Sequence, residues 1–287
     1  MPQTKRNIKI KLFTFLALLL IFSAVIYCLF FLNIIQSRGL LFLSIMWAPG
    51  VAALMTRLIF DKNLSQMGWR WGKTRYHIVC YIIPLILCVV VYGFTWISGL
   101  GKVTFEIIPD ILTRAFPVFK EPLSIGASII PLLFFGTLVG GLHALGEEIG
   151  WRGFFTYELA KITSYTRTSL IVGVIWAISH YPGILFMSYT SGTPALYSIP
   201  CFTIMIVASS FIYTWMRIKS GSMWTAVFLH TSQNLFIQGF FDPLTENTGI
   251  TNYITTEFGI GLAVMYSLAA YIFWKKRSFL EQFEYGV

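Results

Sequence analysis

The feature that most constrains this chain is a succession of apolar stretches, each about 20 residues long and nearly free of charge. A helix of that length crosses ~30 Å of hydrocarbon, and a soluble core has no use for several of them in series. The stretches fall at about 12–35, 40–60, 77–99, 127–146 with a helical continuation to about 160, 168–187, 198–217, 222–240 and 256–274. Charged residues make up only 11% of the chain, against roughly 25% in an average soluble domain. Backbone in lipid must satisfy its own hydrogen bonds, which leaves helices as the spanning element for segments of this length. The expectation is an all-α, polytopic transmembrane helix bundle of about eight spans, forming a single membrane domain over residues 1–287.

Charge sets the orientation. A net charge of +9 would suit a nucleic-acid partner, but no basic patch with interleaved aromatics stands apart from the spans, so none is expected. With both termini in the cytoplasm, all but four of the 21 Lys and Arg residues fall on the inner side; Arg38, Lys102, Arg114 and Lys120 are the outer ones. That asymmetry is the positive-inside pattern. The run from Leu12 to Ile35 exceeds the apolar core of a secretory signal and no small-x-small site closes it, so it reads as a retained first span. Cys28, Cys80, Cys88 and Cys201 lie in apolar stretches without a Cys-x-x-Cys pair and read as buried thiols. Trp69 and Trp71 read as interfacial anchors and His77 as an interfacial residue at a span end. Short loops on a compact chain point to the plasma membrane of a bacterium or archaeon, with the lipid bilayer itself as a partner.

Against this background, Glu147, Glu148, Arg152, His180, His230 and Asn234 stand out, because a charged side chain in a span costs roughly 2.5–3.5 kcal/mol on insertion scales. Counted at ~1.5 Å per residue from Lys161, Arg167 and Lys219, residues Glu147, His180 and His230 lie about 21, 20 and 17 Å deep. Three helices thus bring polar groups to one level. Residues four apart share a helix face, so Glu148 can pair with Arg152, His230 projects with Asn234, and Trp176 with His180. His143 reads as a hydrogen-bonded helix contact. Such a cluster describes a hydrated chamber inside the membrane.

The motif Glu147-Glu148-Ile149-Gly150-Trp151-Arg152 resembles the Glu-Glu-x-x-x-Arg motif of the CAAX protease and bacteriocin-processing family, also called type II CAAX prenyl endopeptidases or Abi proteins. Trp176-Ala177-Ile178-Ser179-His180 is similar to its aromatic-x-x-x-His motif, and His230-Thr231-Ser232-Gln233-Asn234 to its His-x-x-x-Asn motif. The three occur in the family's order, and the motif-bearing core spans about 124–240. The one departure is Trp176, where Phe is commoner.

The resemblance implies an intramembrane endopeptidase acting on a membrane-associated or lipid-modified peptide or protein. It assigns Glu147 as general base, His180 as the residue that positions the water, and His230 and Asn234 as the oxyanion donors, with Glu148 and Arg152 in support. These supply what peptide hydrolysis needs: an activated water, a stabilised oxyanion and a proton for the leaving amine. No cofactor is preferred. The alternative is zinc held by Glu147, His180 and His230, but the chain lacks the His-Glu-x-x-His segment usual in zinc proteases. Two other functional classes use the same polar cavity: a non-catalytic bacteriocin-immunity or peptide-binding protein, and a transporter with a proton relay.

Overall fold

A computed structural model describes residues 2–278. The backbone is almost entirely helical, and the sole sheet among the described residues is a two-residue antiparallel ribbon of β1 (Lys102–Val103) and β2 (Thr245–Glu246). The long helices are α1 (Pro2–Phe31), α2 (Arg38–Phe60), α3 (Thr74–Ile97), α5 (Ile125–Glu148), α7 (Tyr165–Phe186), α8 (Ala195–Ser220), α9 (Trp224–Asn234) and α11 (Ile260–Lys275). Shorter helices are α4 (Ile108–Ala115), α6 (Thr156–Ala160) and α10 (Thr251–Ile254).

Local signals fix the ends. Ser37, Ser124 and Ser164 each cap a helix, accepting the backbone N–H of Leu40, Ala127 and Arg167 at 3.3, 3.4 and 3.4 Å and so satisfying donors that a first turn leaves open. Gly221 ends α8 with φ +69°, a left-handed conformation that glycine adopts without steric cost.

Six helical segments are long and apolar enough to cross a membrane: Lys5–Phe31, Arg38–Phe60, Thr74–Ile97, Ile125–Ala160, Tyr165–Phe186 and Ala195–Ser220. The two remaining expected positions also hold helices, but of a different kind. The α9 region carries His230, Thr231, Ser232, Gln233 and Asn234 in succession, which lowers its hydropathy. Helix α11 has 16 residues and rises only about 24 Å. Helix α1 starts before its apolar run, so Lys5, Arg6, Lys9 and Lys11 are helical. The separator between α3 and α5 contains α4, whose Ile108 and Leu112 bury against Leu132 and Leu244.

Two contact zones define the ends of the bundle. At the basic end, Arg57 of α2 pairs with Glu158 of α6 at 2.7 Å and with Asp61 at 2.6 Å, and Lys11 of α1 also pairs with Asp61. Burial pushes the Asp61 carboxyl up, but the bonds from Lys11 and Arg57 outweigh it and hold the group below its ordinary value. Nearby, Trp224 Nε1 donates to the Trp69 carbonyl at 2.8 Å, and Trp274 Nε1 to Thr166 at 3.2 Å. At the opposite end lie the β ribbon, the bond from Tyr197 to the Tyr253 carbonyl at 2.6 Å and that from Asn252 to the Ser191 carbonyl at 2.7 Å.

Two sequence readings change. Cys28 is exposed on the outer surface of α1, whereas the other three cysteines are buried. His77 is 2% exposed; it stacks on Trp71 at 4.1 Å and meets the edge of Phe228. These two aromatic partners make burial of that ring favourable.

Candidate active site

The site begins with helix winding. After Glu148, α5 continues without a break into a π-helical segment, Ile149–Phe155, and then into α6. After Asn234, α9 continues likewise into a second π segment, Leu235–Phe241. Wider turns of this kind re-aim side chains and are common where function needs an unusual direction.

Helix α2 crosses α5 at glycines. A Cβ on Gly146 would lie 2.7 Å from Trp47 Cγ and 2.8 Å from the Met46 carbonyl oxygen, and one on Gly150 would lie 2.6 Å from the Pro49 backbone. Only hydrogen at these positions lets the two backbones approach, the small-x-x-x-small device of membrane helices. The intervening Glu147 and Glu148 are thereby pressed inward.

The two acids have different surroundings. Glu148 is fully buried, receives Arg152 Nη1 at 2.9 and 3.1 Å on its two oxygens, and accepts a third bond from His230 Nδ1 at 2.8 Å. The Arg152 guanidinium lies between the faces of Trp176 and Tyr213, at 4.1 and 3.8 Å from the ring centroids. Its Nε and Nη2 have no hydrogen-bond acceptor and lie against those rings, a cation–π arrangement that compensates part of the lost solvation. The carbonyl of Arg152 accepts Arg217 Nε at 2.8 Å. Glu147 has no ion-pair partner among the described residues. One oxygen, Oε2, accepts two indole N–H groups, from Trp176 at 2.8 Å and Trp151 at 3.3 Å.

His180 lies one turn beyond Trp176. Its Nδ1 bonds the Trp176 carbonyl at 2.9 Å; a carbonyl only accepts, so Nδ1 carries the proton and neutral His180 presents Nε2 as an acceptor. Asn234 joins Glu147, His180 and His230 on the wall of one cavity of about 520 Å³. All six residues singled out in the sequence therefore come together, in two layers: Glu147, His180, His230 and Asn234 line the cavity, while Glu148 and Arg152 lie behind it. His143 also reaches the wall, its Nδ1 bonded to the Val139 carbonyl at 2.9 Å.

The sequence reading passed over several residues here. Tyr213 forms half of the guanidinium sandwich, and the indole of Trp176 is a hydrogen-bond donor where a Phe has none. Tyr189, Gln233, Gln238 and Glu257 line the cavity, and Gln233 Oε1 is buried without a hydrogen-bond partner. For zinc, the bonds to Glu147 Oε2 and to Nδ1 of each histidine leave Glu147 Oε1 and the two Nε2 atoms as the donors that the expected set of Glu147, His180 and His230 could offer. No three His, Cys, Asp or Glu side chains among the described residues are grouped as a metal-ligand set.

Fold and site together define a polytopic helical membrane protein with an acid–imidazole chamber between its helices. Residues 127–236 match the family described as Rce1-like, type II CAAX prenyl endopeptidase. A relative, CAAX prenyl protease 2 of Methanococcus maripaludis, is 27% identical over 169 residues, which cover 57% of this chain and 57% of the relative. The core of the chain is thus similar to the CAAX protease and bacteriocin-processing family.

Proposed function

We propose that the protein is an intramembrane endopeptidase that hydrolyses a peptide bond in a membrane-associated, lipid-modified peptide or protein. The observation that carries this reading is the unequal treatment of two adjacent carboxylates. Glu148 is neutralised by Arg152 and shared with His230, whereas Glu147 has only neutral indole donors and lines a cavity that His180 lines too. A carboxylate held in place, oriented and left without a counter-cation is suited to take a proton from water.

In this scheme a water lies between Glu147 and His180. Glu147 removes its proton as the oxygen attacks the scissile carbonyl, and His180 Nε2 orients the water through its second hydrogen. Negative charge develops on the carbonyl oxygen, where the Asn234 amide and the His230 ring donate. With Nδ1–H given to Glu148, His230 must carry a second proton on Nε2 to be such a donor; Glu148 already balances Arg152, so the developing oxyanion is what balances the ring charge. Glu147 then delivers the proton to the leaving amine. The elements balance: water adds across one C–N bond, and the proton taken from it ends on the amine.

Leu19, Tyr27, Leu41, Phe42, Ile45 and Met46, from α1 and α2, give the cavity an apolar flank suited to a lipid group. The name of the archaeal relative makes a prenylated C-terminal tail the first substrate to test. The eight-span topology with both ends in the cytoplasm, a single domain with its protease core at about 124–240, and a prokaryotic plasma membrane are parts of the same proposal.

The test is cleavage of a farnesylated fluorogenic peptide by the full chain in liposomes. Glu147→Gln is expected to lower the rate by at least ~100-fold, the usual size of a general-base effect, with folded yield unchanged. A zinc chelator is expected to leave the wild-type rate intact. Retention of a cellular phenotype by Glu147→Gln would favour the non-catalytic binding reading, and loss on chelation restored by zinc would favour the metal scheme.

A further inference from the structure

Among the described residues, the cavity wall contains two carboxylates, Glu147 and Glu257, and no lysine or arginine. Glu257 comes from the segment before α11 and is 5% exposed. Its Oε1 accepts the Gln238 amide at 2.8 Å, and the same amide donates to the Tyr189 hydroxyl oxygen at 3.1 Å. Three separate chain segments thus converge to orient one acid. The donor is neutral. The other ionisable side chains on its cavity wall are Glu147, His143, His180, His230, Tyr27 and Tyr189; the scheme above commits His180 and His230 to the reacting bond.

A latch between segments needs no acid. A Gln or Asn side chain would accept the same bond without the cost of several kcal/mol that a buried charge incurs. By contrast, Glu158 at the basic end is paired with Arg57 and Lys161, and Glu148 with Arg152. Glu257 is the cavity's acid that has no Lys or Arg ion-pair partner among the described residues and, in the proposed mechanism, no reacting atom before it. A partner that arrives with the substrate completes it.

We propose that Glu257, oriented by Gln238 and Tyr189, is a specificity residue that binds a cationic side chain of the substrate peptide near the scissile bond. The inference rests on the endopeptidase reading and refines its substrate class: a lipid-modified peptide with a Lys or Arg close to the cut. It also places the free C-terminal carboxylate of such a peptide outside the acid-lined part of the chamber, where like charges repel.

The experiment uses the full chain in liposomes and farnesylated fluorogenic peptides that differ only in Lys, Leu or Asp at each residue flanking the scissile bond. Wild type is expected to prefer Lys over Leu by about tenfold in kcat/KM at one position, with Asp poorest. Glu257→Gln should bring the Lys-to-Leu ratio near one and leave the Leu peptide within about threefold of wild type. Glu257→Lys should reverse the order of Lys and Asp. A wild type without a Lys preference overturns the proposal whatever the variants do. So does a Glu257→Gln protein that loses all peptides equally and keeps the ratio, which is the behaviour of a latch. Binding of the uncleaved Lys and Leu peptides to Glu147→Gln, measured by fluorescence anisotropy, separates recognition from chemistry. If wild type cleaves nothing but Glu147→Gln binds Lys more tightly, the endopeptidase reading fails and the recognition role stands; equal binding of both peptides overturns the latter.

Discussion

At the residue scale, the site depends on Arg152 more than its distance from the cavity implies. Removing one partner of a buried ion pair costs roughly 3–5 kcal/mol, because the other charge stays behind without solvent. Arg152→Ala strands Glu148 and empties the space between Trp176 and Tyr213. The expected result is a lower thermal midpoint in detergent and reduced folded yield, together with lost activity. Arg152→Lys keeps the charge but not the flat group that two rings enclose, so it should recover only part of the midpoint. A variant Arg152→Ala as stable as wild type would show that Glu148 is not held as an ion in the folded protein. The residues of this pair were legible because Glu148 and Arg152 are four apart on an otherwise apolar helix. Tyr213 was not, since one tyrosine in an apolar run carries no spacing signal. Glu257 was within reach: it is the second residue of the expected span 256–274, and the rule that flagged six polar residues applies equally to it.

At the scale of elements, the motif works through a helix crossing. Gly146 and Gly150 are the positions where α2 rests on α5 and its π continuation, and the acids between them owe their direction to that contact. Gly150→Ala adds one methyl that meets the Pro49 backbone at 2.6 Å. Backbone cannot step aside as a side chain can, so the helices must separate or tilt, at a cost of about 1–3 kcal/mol. The expected outcome is a lower thermal midpoint and a fall in activity larger than the midpoint predicts, since the Glu147 carboxylate moves with the crossing. Gly126→Ala, at a position open to its surroundings, is the control. An unchanged midpoint in Gly150→Ala would sink the crossing argument. Gly146 and Gly150 are four apart, a spacing that admits a close neighbour; which helix crosses there is set by the bundle and is not encoded locally. The π segments were invisible for a related reason, because looser winding comes from the packing of the bundle.

At the scale of the whole molecule, the two ends of the bundle make topology a physical question. The basic end gathers the start of α1, the end of α2, α6, the start of α7 and the end of α8, tied by ion pairs and by the Trp274–Thr166 bond. Helix α11 reaches that end with Lys275 in its last turn, although its rise of about 24 Å falls short of ~30 Å of hydrocarbon. A short helix is accommodated when the bilayer thins locally and flanking basic residues extend to the headgroups. Lys275, Lys276 and Arg277 stand where that extension is needed. Reporter fusions at residue 287 and at the N-terminus are therefore expected to report the same side of the membrane, and cysteines introduced at Lys62 and Lys219 should be labelled only after the membrane is permeabilised. Replacing Lys275, Lys276 and Arg277 together with Ser removes the charge that holds the last span and should yield a mixed population of C-terminal reporters. Opposite locations for the two wild-type termini would instead mean an odd number of crossings, with α11 lying at the interface, and would detach the segment that carries Glu257 from the depth its contacts with Gln238 and Tyr189 require.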